Sequence, residues 1–124
     1  MRVTAVLAML LATLNTCYAI EIPKSSKLET VERVAVYASA QFDAATTYRA
    51  IRTCPPGYVC SESNPVMRPF AGNASIFPVM AGSSLAVDYL SRKISPRHPK
   101  LGRAVRWISI GGHVAAGFNN LRSQ

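Results

Sequence analysis

Acidic residues are scarce in this chain of 124 residues. Six Asp and Glu stand against fourteen Lys and Arg, for a formal net charge of +8. Charged residues of both signs make up only 16% of the total, against 49% hydrophobic. A disordered, highly charged tail is excluded by that apolar content. The length leaves room for one small domain and excludes a multidomain enzyme, a repeat array and a long coiled coil. No internal repeat and no alternating period-two segment is present, so a β-sandwich or barrel has no support. The familiar metal and nucleophile motifs are missing too: there is no H-x-x-x-H, no H-E-x-x-H and no Gly-flanked serine elbow.

One long apolar run exists, and it lies at the start. Met1-Arg2 is followed by a nearly unbroken apolar stretch over residues 3–14. Cys17 and Ala19 then stand at the −3 and −1 positions of a cut after Ala19. That layout predicts a secretory signal peptide over residues 1–19 and a single small helical domain over 20–124. A lipoprotein cut before Cys17 fits poorly, because Asn15 and Thr16 precede it. An uncleaved anchor would want about 20 apolar residues. The expected location is the envelope of a bacterial cell, in the periplasm or at the inner membrane. Cleavage leaves Cys54 and Cys60, and an even cysteine count in an exported chain reads as a disulfide. Pro55, Pro56 and Gly57 favour the tight turn that so small a ring needs. Two cysteines are too few for a structural zinc, and the spacing is not that of a C-x-x-C redox pair.

Helical periodicity dominates the rest. Leu28, Val31, Val34, Ala38, Phe42, Ala45 and Ile51 recur at helix spacing, until Pro55-Pro56-Gly57 stops the pattern. A structured loop follows. A second helix is expected over 75–94, with Asn73 or Ser75 as cap and Pro78 in the first turn. A third is expected over 99–121, with Trp107, Ile110, Val114, Phe118 and Leu121 on one stripe. Gly111-Gly112 weakens it by about 1 kcal/mol per glycine and suggests close approach of another helix. The fold class is therefore all-α, with three helices over roughly 28–53, 75–94 and 99–121.

Two stretches, 69–87 and 107–121, carry no charge. As helices they would span about 28 and 22 Å, against a hydrocarbon core of about 30 Å. Between them lie Arg92, Lys93, Arg97, Lys100, Arg103 and Arg106, with Asp88 as the single acidic residue. A transmembrane hairpin with this linker on the cytoplasmic side obeys the positive-inside rule and leaves the cysteines outside. A soluble exported bundle with a solvated linker is the other reading. Asp88 and Arg92, at i and i+4, read most simply as a surface pair. The linker lacks interleaved aromatics before Trp107, so anionic lipid is a better counter-surface for it than nucleic acid.

The segment Asp43-Ala44-Ala45-Thr46-Thr47, then Glu62-Ser63-Asn64-Pro65, then His113 and Asn119-Asn120, resembles a loose group of small bacterial exported or membrane proteins of unknown function. Those have an Asp-x-x-Thr-Thr helix, a Glu-x-Asn-Pro loop and two further apolar helices. The resemblance implies no activity and no cofactor. From the residues themselves, Ser39, Asp43 and Thr47 form one polar stripe, and Arg106, His113 and Asn120 form another at heptad spacing. If the stripes face each other, Asp43 pairs with His113 or Arg106 and fixes helix register. The expected site is thus a structural polar network of Asp43, Thr47, Glu62, Asn64, His113 and Asn120, with no metal. An exported hydrolase or metal-binding protein using Asp43, Glu62 and His113 is the alternative. The partners expected are a membrane or anionic lipid, or another protein.

Overall fold

A computed structural model describes residues 26–122, and the expected signal peptide lies outside them. Among the described residues the chain is all helical. The elements are α1 (Lys27–Arg52), α2 (Arg68–Ala71), α3 (Ile76–Ile94) and α4 (Pro99–Arg122). Ser26 caps α1 by accepting the Glu29 amide on its hydroxyl at 3.1 Å. Glu29 in the first turn, with Arg49 and Arg52 in the last, complements the helix dipole. The following loop is closed by the Cys54–Cys60 disulfide, with Cα atoms 5.8 Å apart. Inside the ring the Tyr58 amide donates to the Pro55 carbonyl at 3.1 Å. Gly57 adopts φ +87°, which the third position of such a turn requires. The short α2 lies within the segment expected to be loop throughout, with Pro69 in its first turn.

The three long helices run up, down, up. Arg33 of α1 meets Asp88 of α3, and Gln41 meets Phe77, so α3 is antiparallel to α1. Glu29 and Glu32 meet Arg106, Asp43 meets His113 and Thr47 meets Asn120, so α4 is parallel to α1. Close approach was expected at Gly111-Gly112. Both lie open, with nothing within 4 Å of an added Cβ. The crowded glycines are instead Gly102 and Gly117. A Cβ on Gly102 would stand 2.9 Å from the Ser91 carbonyl of α3 and overlap Ser95. One on Gly117 would press into the Phe42 ring of α1.

The interior is small and polar. Buried apolar side chains are Val36, Ala40, Ala44, Ala71, Ile76 and Met80, whereas Glu32, Ser39, Asp43, Thr46, Thr47, Ser84, Asp88, Ser91 and Arg106 are buried polar or charged. The stripe of Leu28, Val31 and Val34 has the expected helical spacing but faces outward. Small and hydroxylic residues occupy the inner face because they let the helix backbones come close.

No described helix is long and apolar enough to cross a membrane, which corrects the transmembrane hairpin. The uncharged stretches do not coincide with helices. Residues 69–87 are divided among α2, a turn and the first part of α3, and α3 goes on to include Asp88, Arg92 and Lys93. Helix α4 begins at Pro99 and so includes Lys100, Arg103 and Arg106.

Candidate functional site

Two polar clusters join α1 to α4. The first is built on Asp43, which α1 holds one turn before Thr46 and Thr47. His113 Nδ1 lies 2.9 Å from Asp43 Oδ2. An ionised carboxylate only accepts, so the imidazole donates here. The Asn120 amide donates to Thr47 Oγ1 at 2.7 Å and lies 3.4 Å from both Asp43 Oδ1 and Thr46 Oγ1. Thr47 Oγ1 donates to Asp43 Oδ1 at 3.4 Å, and Thr46 Oγ1 to the Phe42 and Asp43 carbonyls of its own helix. The hydroxyls thus pass hydrogen bonds between helix backbone, carboxylate and amide. His113 retains 22% side-chain exposure at the edge of the cluster.

Glu62 and Asn64 do not join it. Glu62 accepts the Asn64 amide at 2.9 Å, and its carbonyl accepts Arg68 Nε at 3.0 Å. Asn64 Oδ1 accepts the Val66 amide at 3.0 Å. Both residues are spent on closing the loop that leads into α2, a local use that removes them from the interior. Ser39 turns its hydroxyl back to the Val36 carbonyl. Among the described residues, no three His, Cys, Asp or Glu side chains are grouped to hold a metal.

In the second cluster Arg106, one of the two partners the stripes offer Asp43, binds Glu29 and Glu32 instead. Arg106 is 2% exposed and donates from Nη2 to Glu29 at 2.8 Å and from Nη1 to Glu32 at 3.2 Å. Arg103 Nε donates to Glu32 at 2.9 Å, and the Trp107 indole to the same carboxylate oxygen at 3.3 Å. Burial pushes the Glu32 carboxyl up, but the hydrogen bonds from Arg103 and Arg106 outweigh that and hold it below its ordinary value. Arg106 Nε is the only buried side-chain polar atom without a hydrogen bond among the described residues. A cleft of about 160 Å³ opens beside this cluster, lined also by Ser26, Leu28, Ser95 and Pro99. The signal for it was available in the sequence: Glu29 and Glu32 stand at i, i+3 on α1, as Arg103 and Arg106 do on α4.

A third contact ties α1 to α3. Arg33 binds Asp88 in a two-pronged pair at 2.8 and 2.9 Å, so Asp88 is buried and partnered across helices, not paired with Arg92 at the surface. The bond to Asp88 raises the Arg33 pKa, and burial together with the Asp88 charge raises that of Tyr37. These groups tie helices together. No protein-family model, curated protein or solved structure matches the chain.

Proposed function

We propose that this chain is an exported helical interaction protein of the bacterial cell envelope, acting by contact and not by catalysis. One observation carries the reading: the usual distribution of side chains is turned around. Charged and hydroxylic groups hold the helices together inside, while large apolar side chains such as Val31, Leu85, Leu90, Trp107, Ile108 and Phe118 stand more than half exposed. Large apolar side chains left exposed on all three long helices supply the kind of surface such contacts use. The Cys54–Cys60 disulfide suits an oxidising compartment. The resemblance to small exported or membrane proteins agrees with it.

Separating soluble periplasm, salt-washed membrane and detergent extract tests this. The chain is expected in the envelope fractions. The double substitution Leu85→Glu, Ile108→Glu should move it to the soluble fraction with its helical circular dichroism unchanged. Wild-type protein found wholly in the soluble fraction as a monomer overturns the proposal.

The Asp43–His113 contact is the one observation favouring an enzyme, since a carboxylate orienting an imidazole is how a general base is held. No serine, threonine or cysteine hydrogen-bonds to that imidazole among the described residues. His113→Ala decides between the two roles. A folded variant that has lost a measurable activity supports catalysis; a destabilised one supports a structural network.

A further inference from the structure

We infer that the end of the bundle formed by the start of α1 and the α3–α4 turn is a docking surface for an anionic bilayer. This rests on the contact reading above and names its partner. Lys27, Lys93, Arg97 and Lys100 are exposed there, with Leu28 and Leu101 each 53% exposed among them. Ser26 and Leu28 share one cleft with Ser95 and Pro99, which places the tip of α1 beside the turn.

Charge is sorted at this end. After Asp88 the chain has no acidic residue. Among the described residues, the two carboxylates nearby, Glu29 and Glu32, are engaged by Arg103 and Arg106. None of the four exposed cations forms an ion pair with a described residue; Lys93 reaches only the Tyr89 hydroxyl and ring. The described surface therefore presents positive charge and aliphatic side chains, with Glu32 buried and Glu29 paired to Arg106. The frame beneath is fixed. Ser91 donates to the Gly102 carbonyl at 2.9 Å, and Gly102 lets α3 and α4 meet with no side chain between them.

A lipid surface fits this arrangement better than an acidic protein. The cations are spread over three helix ends around exposed leucines, and the cleft there is walled by carboxylates already paired with arginine. A fluid sheet of phosphate headgroups needs no fixed register, and Lys and Arg stems can lie along it while the leucines enter its boundary.

The test is flotation of the chain, purified after export, with vesicles of phosphatidylglycerol in phosphatidylcholine and with vesicles of phosphatidylcholine alone. Binding is expected to the anionic vesicles and to fall steeply as salt is raised about tenfold. Each basic residue near such a surface is worth about fivefold in partitioning. Arg97→Gln with Lys100→Gln should then lower binding roughly 25-fold. Arg49→Gln with Arg52→Gln, an equal charge change at the other end of α1, should lower it by less than about threefold.

Equal losses from the two pairs overturn the assignment of this end. Full-strength, salt-insensitive binding to neutral vesicles overturns it as well, but leaves the apolar contact reading standing. Binding to immobilised polyglutamate without binding to any vesicle transfers the surface to an acidic protein and overturns the lipid proposal.

Discussion

At the loop end of the bundle, Ala40, Ala44, Ala71, Ile76 and Met80 pack beneath Tyr48, Ile51, Phe70 and Phe77. At the opposite end, Glu32 and Arg106, each about 2% exposed, stand where such side chains would be. Both ends fasten the same helix, α1, and they do it by different physics. The apolar end gains from removing surface from water, roughly in proportion to area. The ionic end must first desolvate two charges, so its net gain depends on every donor and acceptor being matched. A bundle that is apolar at one end and ion-paired at the other is specified in register at the second, because the Glu29, Glu32, Arg103 and Arg106 set closes in one alignment of α1 and α4, whereas alanine packs against many neighbours.

The largest expected effect breaks that register. Arg106→Ala leaves Glu29 without its arginine and Glu32 with Arg103 and Trp107 alone, empties a buried site, and should cost about 4 kcal/mol in urea unfolding. Replacing both partners, Glu32→Leu with Arg106→Met, should restore most of that loss. If the double variant is as unstable as the single one, the arginine is packing the interior and its charge is incidental. Ile76→Ala at the apolar end should cost about 3 kcal/mol, a transfer loss plus a cavity. No second substitution of charge should repair it.

The contrast also explains which parts were legible beforehand. The three long helices were read from periodicity and from Pro55-Pro56-Gly57 and Ser95-Pro96, which punctuate the chain wherever it folds. The stripes of Asp43 and Thr47 on α1, and of His113 and Asn120 on α4, need only the helical repeat to be placed on one side. Which side faces inward was not legible. The large apolar residues Leu28, Val31 and Val34 suggest an inner face by the ordinary rule, and here alanine, serine and threonine take it. Arg106 sits on the α4 stripe, but the stripe offers it Asp43 and not Glu29 and Glu32, and Arg103 is hidden among the six cations spread over residues 92–106. Glu62 and Asn64 are polar residues whose partners lie within a few positions, so the stripe argument did not apply to them.

The disulfide lies beyond the apolar end and closes a short ring. Cys54→Ser with Cys60→Ser should cost about 2 kcal/mol or less, because so small a loop restricts the unfolded chain only modestly. The effect should appear in the midpoint of unfolding and leave the response of the ionic end to pH unchanged. A variant that unfolds outright would show that the loop organises α2 and the apolar cluster, which would make the apolar end depend on its covalent closure.

The finest distinction between the ends is their response to acid. Glu32 has a folded pKa below its ordinary value of 4.5, and the hydrogen bonds from Arg103 and Arg106 are what overcome its burial. A carboxyl depressed by folding binds more protons in the unfolded chain. Its contribution is therefore present above the ordinary carboxylate range and is lost as pH falls through the folded value. Wild-type stability should decline across that window, and Glu32→Gln should remove part of the slope while lowering stability at neutral pH. Ile76→Ala should lower the whole curve in parallel, because no titrating group has changed. A slope unaltered by Glu32→Gln would mean that the Glu32 carboxylate is not what ties the ionic end to pH, and that its bonds to Arg103 and Arg106 hold the helices without setting the acid response.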